Sequence, residues 1–173
     1  MSQKQQLDSI STGLKRGWLF GLIMLGIYLL YIIVNQVSFF PTKFLYSQNA
    51  PFAVIQYGIP GVLMLISFIV FLIGGIQASA KTGQASTGWI SGNFGGLVYA
   101  IGSFLVFGVY LFAFLPPLLG IPPSYLPSYW SQAIESLNNQ LITIALFGGI
   151  FMGNLGGSIG SLIGRGSALL SEK

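Results

Sequence analysis

The sequence predicts an all-α fold: a polytopic membrane protein, a four-transmembrane-helix bundle with both termini on the cytoplasmic side and short interfacial helices. Three observations lead there. Only 6% of the 173 residues are charged and 53% are hydrophobic, with a mean hydropathy of +0.78, whereas water-soluble domains carry roughly a quarter charged residues. The apolar residues fall into four runs, each long enough to cross a hydrocarbon core of about 30 Å at about 1.5 Å per helical residue. The basic residues divide unevenly between the ends of those runs. Lys4, Lys15 and Arg16 precede the first, Lys81 lies between the second and third, and Arg165 and Lys173 follow the fourth, which leaves only Lys43 on the other side. By the positive-inside rule this six-to-one partition puts both termini in the cytoplasm, and it supports an even number of spans.

Taken in order, residues 1–16, "MSQKQQLDSISTGLKR", read as an N-terminal cytoplasmic segment. Leu7, Ile10 and Leu14 share one helical face there, so a short interfacial helix fits and a frayed tail is the alternative. The first span, 17–37, opens with Trp18 just after Lys15 and Arg16. A cleavable signal peptide is its competitor. However, the run exceeds a typical apolar h-region of roughly 7 to 15 residues, and "SFFPTKF" follows with no small-x-small cleavage site. The second span, 53–77, contains "YGIPG", and Pro60 between Gly58 and Gly61 predicts a kink near the outer surface. "QASAKTGQASTGW" then makes a flexible cytoplasmic turn ahead of the third span, 94–115.

Both outer connections are rich in aromatic residues, which favour the headgroup level. Phe39, Phe40, Phe44, Tyr46 and Phe52 occupy the first, and Tyr125, Tyr129 and Trp130 the other. In the latter, Pro116, Pro117, Pro122, Pro123 and Pro127 interrupt helix up to Ser128, which suits an N-cap. Trp130, Ile134, Leu137 and Leu141 then recur at helical spacing, as in a short amphipathic helix along the outer surface. A bend near Asn138 and Asn139 admits the fourth span, 140–162. The membrane domain thus covers 17–165, and 166–173 is a cytoplasmic tail.

Little chemistry is available to such a chain. It has no cysteine and no histidine, and its three carboxylates, Asp8, Glu135 and Glu172, are far apart. No catalytic residue, metal site or cofactor is expected, so the chain is not expected to be an enzyme. The scattered basic residues make no nucleic-acid footprint. "GGSIGSLIGRG" lacks the Gly-Lys-Ser/Thr ending and the preceding strand of a phosphate loop. No ionisable group stands in the middle of any span, where ion-coupled carriers place one; the neutral candidates are Ser67, Ser103, Thr143, Asn154, Ser158 and Ser161.

What the fourth span does hold is glycine. "GGIFMGNLGGSIGSLIGRG", 148–166, carries eight of the chain's 24. Gly149, Gly153 and Gly157 recur every four residues, as do Gly156, Gly160 and Gly164, and a second small face begins the third span with Gly92, Gly96, Ala100 and Ser103. In lipid, where hydrophobicity does not drive helices together, such faces let backbones approach closely. The expectation is a glycine zipper that packs helices either within one protomer or between chains. Asn154 is expected to bond to another helix, with a pore-lining role as the alternative. Four spans with glycine-rich helices are broadly similar in architecture to mitochondrial inner-membrane translocase subunits and to some phage holins, without a family-specific motif.

The function expected is that of a small non-enzymatic, multi-pass integral protein of a bacterial or archaeal cytoplasmic membrane. It would be an accessory or assembly subunit whose partners are the lipid bilayer and other membrane-protein helices, in a self- or hetero-oligomer. The alternative is a homo-oligomeric channel or holin-like pore for small solutes.

Overall fold

The computed structural model describes residues 3–36, 59–118, 120 and 122–171, and among them there are helices and turns but no strand. Helix α1 is Gln3–Gln36, α2 is Ile59–Thr82 and α3 is Ala85–Val109. From α3 the chain continues through a π-helical turn, Tyr110–Phe114, into the short α4, Leu115–Leu118. A 3-10 turn, Pro123–Tyr125, leads into α5, Leu126–Gln140. A π-helical stretch, Leu141–Phe151, then joins α5 to α6, Met152–Ser171. Among the described residues, four runs are long and apolar enough to cross a membrane: Gln3–Ile33, Gly61–Thr82, Ala85–Pro117 and Pro123–Leu170.

Several boundaries differ from the sequence expectation, each for a local reason. No break separates residues 1–16 from the first span, because α1 runs unbroken from Gln3, with Leu7, Ile10 and Leu14 still exposed along it. Helix α3 starts at Ala85 rather than near 94, since its first turn, 85–88, is small and polar and Ser91, Gly92 and Asn93 interrupt the apolar run beyond Trp89 and Ile90. Helix α5 starts at Leu126, not at Ser128. Pro127 is tolerated in its first turn, where no backbone N–H is needed, and the Ser128 hydroxyl donates back to the Tyr125 carbonyl at 2.9 Å instead of capping. Near Asn138 and Asn139 the chain stays helical and passes from α to π winding at Leu141.

Pro60 stands in the first turn of α2, where a proline breaks no ladder bond. The residues ahead of it that would form the other arm of the expected kink, Gly58 included, lie outside the described residues, as do Lys43 and the aromatic residues at 39, 40, 44, 46 and 52. The turn from α2 to α3 is tight. Gly83 takes a φ of +68° and its N–H donates to the Ser79 carbonyl at 2.8 Å, a left-handed helix ending that glycine adopts without a Cβ penalty.

The helices alternate in direction. Gly13, Gly17 and Gly21 of α1 meet α3 at Thr87, Ser91 and Gly95 in that order, so α1 and α3 run parallel. Gly149, Gly153 and Gly157 meet α3 in descending order, whereas Gly156, Gly160 and Gly164 meet α2 in ascending order. The fourth run is therefore antiparallel to α3 and parallel to α2, and the first and last described turns lie at the same end. Phe20, Met24, Tyr28, Leu63, Phe71, Tyr99 and Ile144 fill the centre, while large apolar side chains such as Leu30, Leu65, Leu105, Phe114 and Leu162 face outward.

Candidate functional site

The glycine-rich fourth run belongs to two contacts, because residues three apart on a helix point about 60° away from each other. One row faces α3. A Cβ on Gly149 would lie 2.8 Å from the Gly96 carbonyl oxygen, one on Gly153 2.6 Å from that of Gly92, and one on Gly157 2.7 Å from the Gly92 Cα. Seen from α3, Gly92 and Gly96 abut the backbone of Gly153, Gly157 and Gly149 just as tightly. The other row faces α2: Gly156 meets the Phe68 carbonyl, Gly160 that of Leu72, and Gly164 that of Ile76. Since most of these neighbours are helical backbone, no side chain can swing aside to admit a larger residue.

A third row was not anticipated. Gly13, Gly17 and Gly21 stand four apart on α1, where added Cβ atoms would come within 2.9, 2.7 and 2.8 Å of carbonyl oxygens of Thr87, Ser91 and Gly95. Gly13 lay in the stretch read as a separate N-terminal segment, apart from the first span that holds Gly17 and Gly21, which hid the period.

Close backbones leave room for small hydroxyls, and these join three helices at the end that carries the described termini. Thr87 is fully buried; its hydroxyl shares a 2.5 Å hydrogen bond with that of Ser9 and lies 2.8 Å from that of Thr82. The Ser79 hydroxyl accepts the Gly88 N–H at 3.1 Å, which ties α2 to the first turn of α3. Arg16 donates to Gln77 at 3.0 Å. Toward the other end Gln140 donates to the Tyr28 hydroxyl at 2.5 Å, Tyr129 to the Leu111 carbonyl at 2.6 Å, and Trp130 stacks on Phe112. Ser67 and Ser103 return their hydroxyl bonds to their own helices, to Leu63 and Ala100, the usual way to lodge serine inside a helix.

Asn154 lies on the outside of the bundle. Its Nδ2 donates at 3.0 Å to the Oδ1 of Asn93 on α3, whose own Nδ2 donates to the Trp89 carbonyl at 2.9 Å. Ser158 approaches the Asn154 Oδ1 at 3.5 Å. Asn93 escaped notice because it precedes the apolar start of the third span by one residue. Asp8 and Glu135 sit at opposite ends, on α1 and α5, and among the described residues no three acidic, histidine or cysteine side chains gather as metal ligands would.

In comparison with known proteins, no family model, no curated protein and no solved structure matches this chain.

Proposed function

We infer that the chain is a small non-enzymatic integral membrane protein, an accessory or assembly subunit of a membrane complex, with four spans and both termini in the cytoplasm. The observation that carries this is the filled centre of the bundle. The four runs meet around Phe20, Met24, Tyr28, Leu63, Phe71, Tyr99 and Ile144, and the small residues that could have formed a lumen hold backbone against backbone instead. Such a protomer offers its surroundings an outside surface, which is apolar and suits lipid and other helices. Insertion itself is supported by the outward-facing leucines, isoleucines and phenylalanines, since soluble monomers rarely expose continuous apolar surface beyond a few hundred Å². The orientation is supported by Lys4, Lys15, Arg16, Lys81 and Arg165, which the packing brings to one end.

Crosslinking in native membranes, followed by mass spectrometry of the products, tests the reading. An accessory subunit yields unlike membrane proteins in fixed proportion to itself. A ladder of self-multiples extending beyond a pair, with no unlike partner, replaces this reading by a homo-oligomeric pore.

A further inference from the structure

We propose that the seam between α1 and α2, at the end that carries the described termini, binds an anionic phospholipid, with Arg16 and Lys81 on its phosphate and its acyl chains along the apolar side chains beneath. The inference rests on the membrane reading above, which makes this the cytoplasmic leaflet. Depth is the first support. Gly13 and Gly17 of α1 meet Thr87 and Ser91 of α3, so Trp89 stands level with Lys15 and Arg16. Trp89 is 49% exposed, and Trp18, two residues beyond Arg16, is 54% exposed. Outward-facing indoles at one level on two helices belong to the headgroup region, which is where lipid phosphates lie.

At that level the Arg16 cation is oriented and has no carboxylate beside it. The side chain is half-buried, and its Nη1 donates to the Gln77 Oε1 of α2 at 3.0 Å. This bond uses one of the five N–H groups of the guanidinium and holds the planar fork at the seam. The others suit a phosphate, whose oxygens such a fork takes in pairs. Lys81 follows Gln77 by one turn on the same face of α2 and is exposed, which adds an ammonium next to the fork. Among the described residues the carboxylates are Asp8, eight residues or about 12 Å of helix from Arg16, and Glu135, at the opposite end. Uncompensated cations favour a headgroup of net negative charge. The ammonium of a zwitterionic headgroup would instead meet Lys15, Arg16 and Lys81.

The surface beneath distinguishes a lipid from a free anion. Toward the membrane middle the seam closes, because Phe20 packs on Gly74, where a Cβ would lie 2.8 Å from the ring. Leu19 and Ile23 follow Arg16 at the i+3 and i+7 positions of α1, and Ile73 precedes Gln77 by one turn of α2; all three are exposed. The cations thus stand directly above an apolar surface built from both helices, as a headgroup stands above its chains.

Carbonate extraction of protein reconstituted into phosphatidylcholine vesicles reads insertion. The same protein, in micelles with equal amounts of phosphatidylglycerol and phosphatidylcholine, is then examined for retained lipid by native mass spectrometry. The chain is expected to retain phosphatidylglycerol over phosphatidylcholine by about tenfold, the effect of one hydrogen bond to a charged group. Arg16→Gln should abolish that preference and Arg16→Lys keep part of it. Lys15→Gln, the same change of charge on a neighbouring face, should keep all of it, and excess orthophosphate should not displace the lipid. No preference in the unaltered chain, or an equal loss in Arg16→Gln and Lys15→Gln, overturns the site in favour of net charge alone. Displacement by orthophosphate overturns the lipid as its ligand. These outcomes leave insertion standing, whereas protein released by carbonate overturns the membrane reading and the lipid site with it.

Discussion

Gly157 of α6 and Gly92 of α3 touch backbone to backbone: a Cβ added to Gly157 would lie 2.7 Å from the Gly92 Cα, closer than real Cβ atoms approach. A helix on each side fixes both atoms, so a substitution at either position must separate the helices or distort them. Gly157→Ala is expected to cost about 1–3 kcal/mol as overpacking, and Gly157→Leu more. Gly26 and Gly166 are the contrast, since a Cβ there meets nothing within 4 Å. Alanine at those two positions is expected to be neutral or to stabilise by up to about 1 kcal/mol through helix propensity. Unfolding of each variant in mixed detergent micelles checks the difference. Equal stability for Gly157→Leu and Gly26→Ala would show that the contact contributes nothing.

Removing the Thr87 hydroxyl while keeping its shape isolates the polar joint at the terminal end. In Thr87→Val the Ser9 and Thr82 hydroxyls lose their shared partner, and Ser9 is itself buried. A loss of about 1–3 kcal/mol is expected, the cost of buried polar groups left unpaired. Hydrogen exchange should quicken at the start of α1 and of α3, while amides near Tyr99, in the centre, keep their protection.

The number of long helices was legible because four apolar runs set it, each a property of one stretch of chain. The repeat of four in Gly149, Gly153 and Gly157 is local in the same sense. The direction in which a row points was not legible, since the order of helices around a bundle is a property of the assembled fold. Thus Gly156, Gly160 and Gly164 meet α2, although only α3 had shown a matching face. Hydropathy also hid what is polar yet helical. The first turn of α3, with Thr87, was read as part of a flexible turn, and Asn93, one residue ahead of the apolar start at 94, was missed as the interhelical partner of Asn154. The π winding of Leu141–Phe151 has no residue signature in the chain.

Gln140 and Tyr28 are 112 residues apart in sequence and join the end of α5 to α1 through a single hydrogen bond. Tyr28 is 1% exposed and packs its ring near Tyr99 and Tyr31. Tyr28→Phe preserves that packing and removes only the acceptor, so a loss of about 0.5–1.5 kcal/mol is expected. A double-mutant cycle with Gln140→Leu should return a coupling of about 0.5 kcal/mol or more, as residues in direct contact do. Strict additivity of the two substitutions would remove this bond from the account of how α5 is held.

The proposed orientation rests on the end of the bundle where the basic residues gather. Arg16 donates to Gln77, Lys81 lies one turn further along α2, and Gly164, beside Arg165, abuts Ile76 and Ala80. Ser86, exposed at the start of α3, belongs to this end, and Ser124, exposed in the 3-10 turn before α5, belongs to the other. In bacterial cells expressing single-cysteine variants, a membrane-impermeant maleimide should label Ser124→Cys in intact cells and Ser86→Cys only after permeabilisation. Because the spans alternate in direction, one pair of sites fixes the orientation of all four. Labelling of Ser86→Cys from outside would invert the protein in the membrane against its own charge distribution. Equal labelling of both sites in intact cells would mean that the segment between them does not cross.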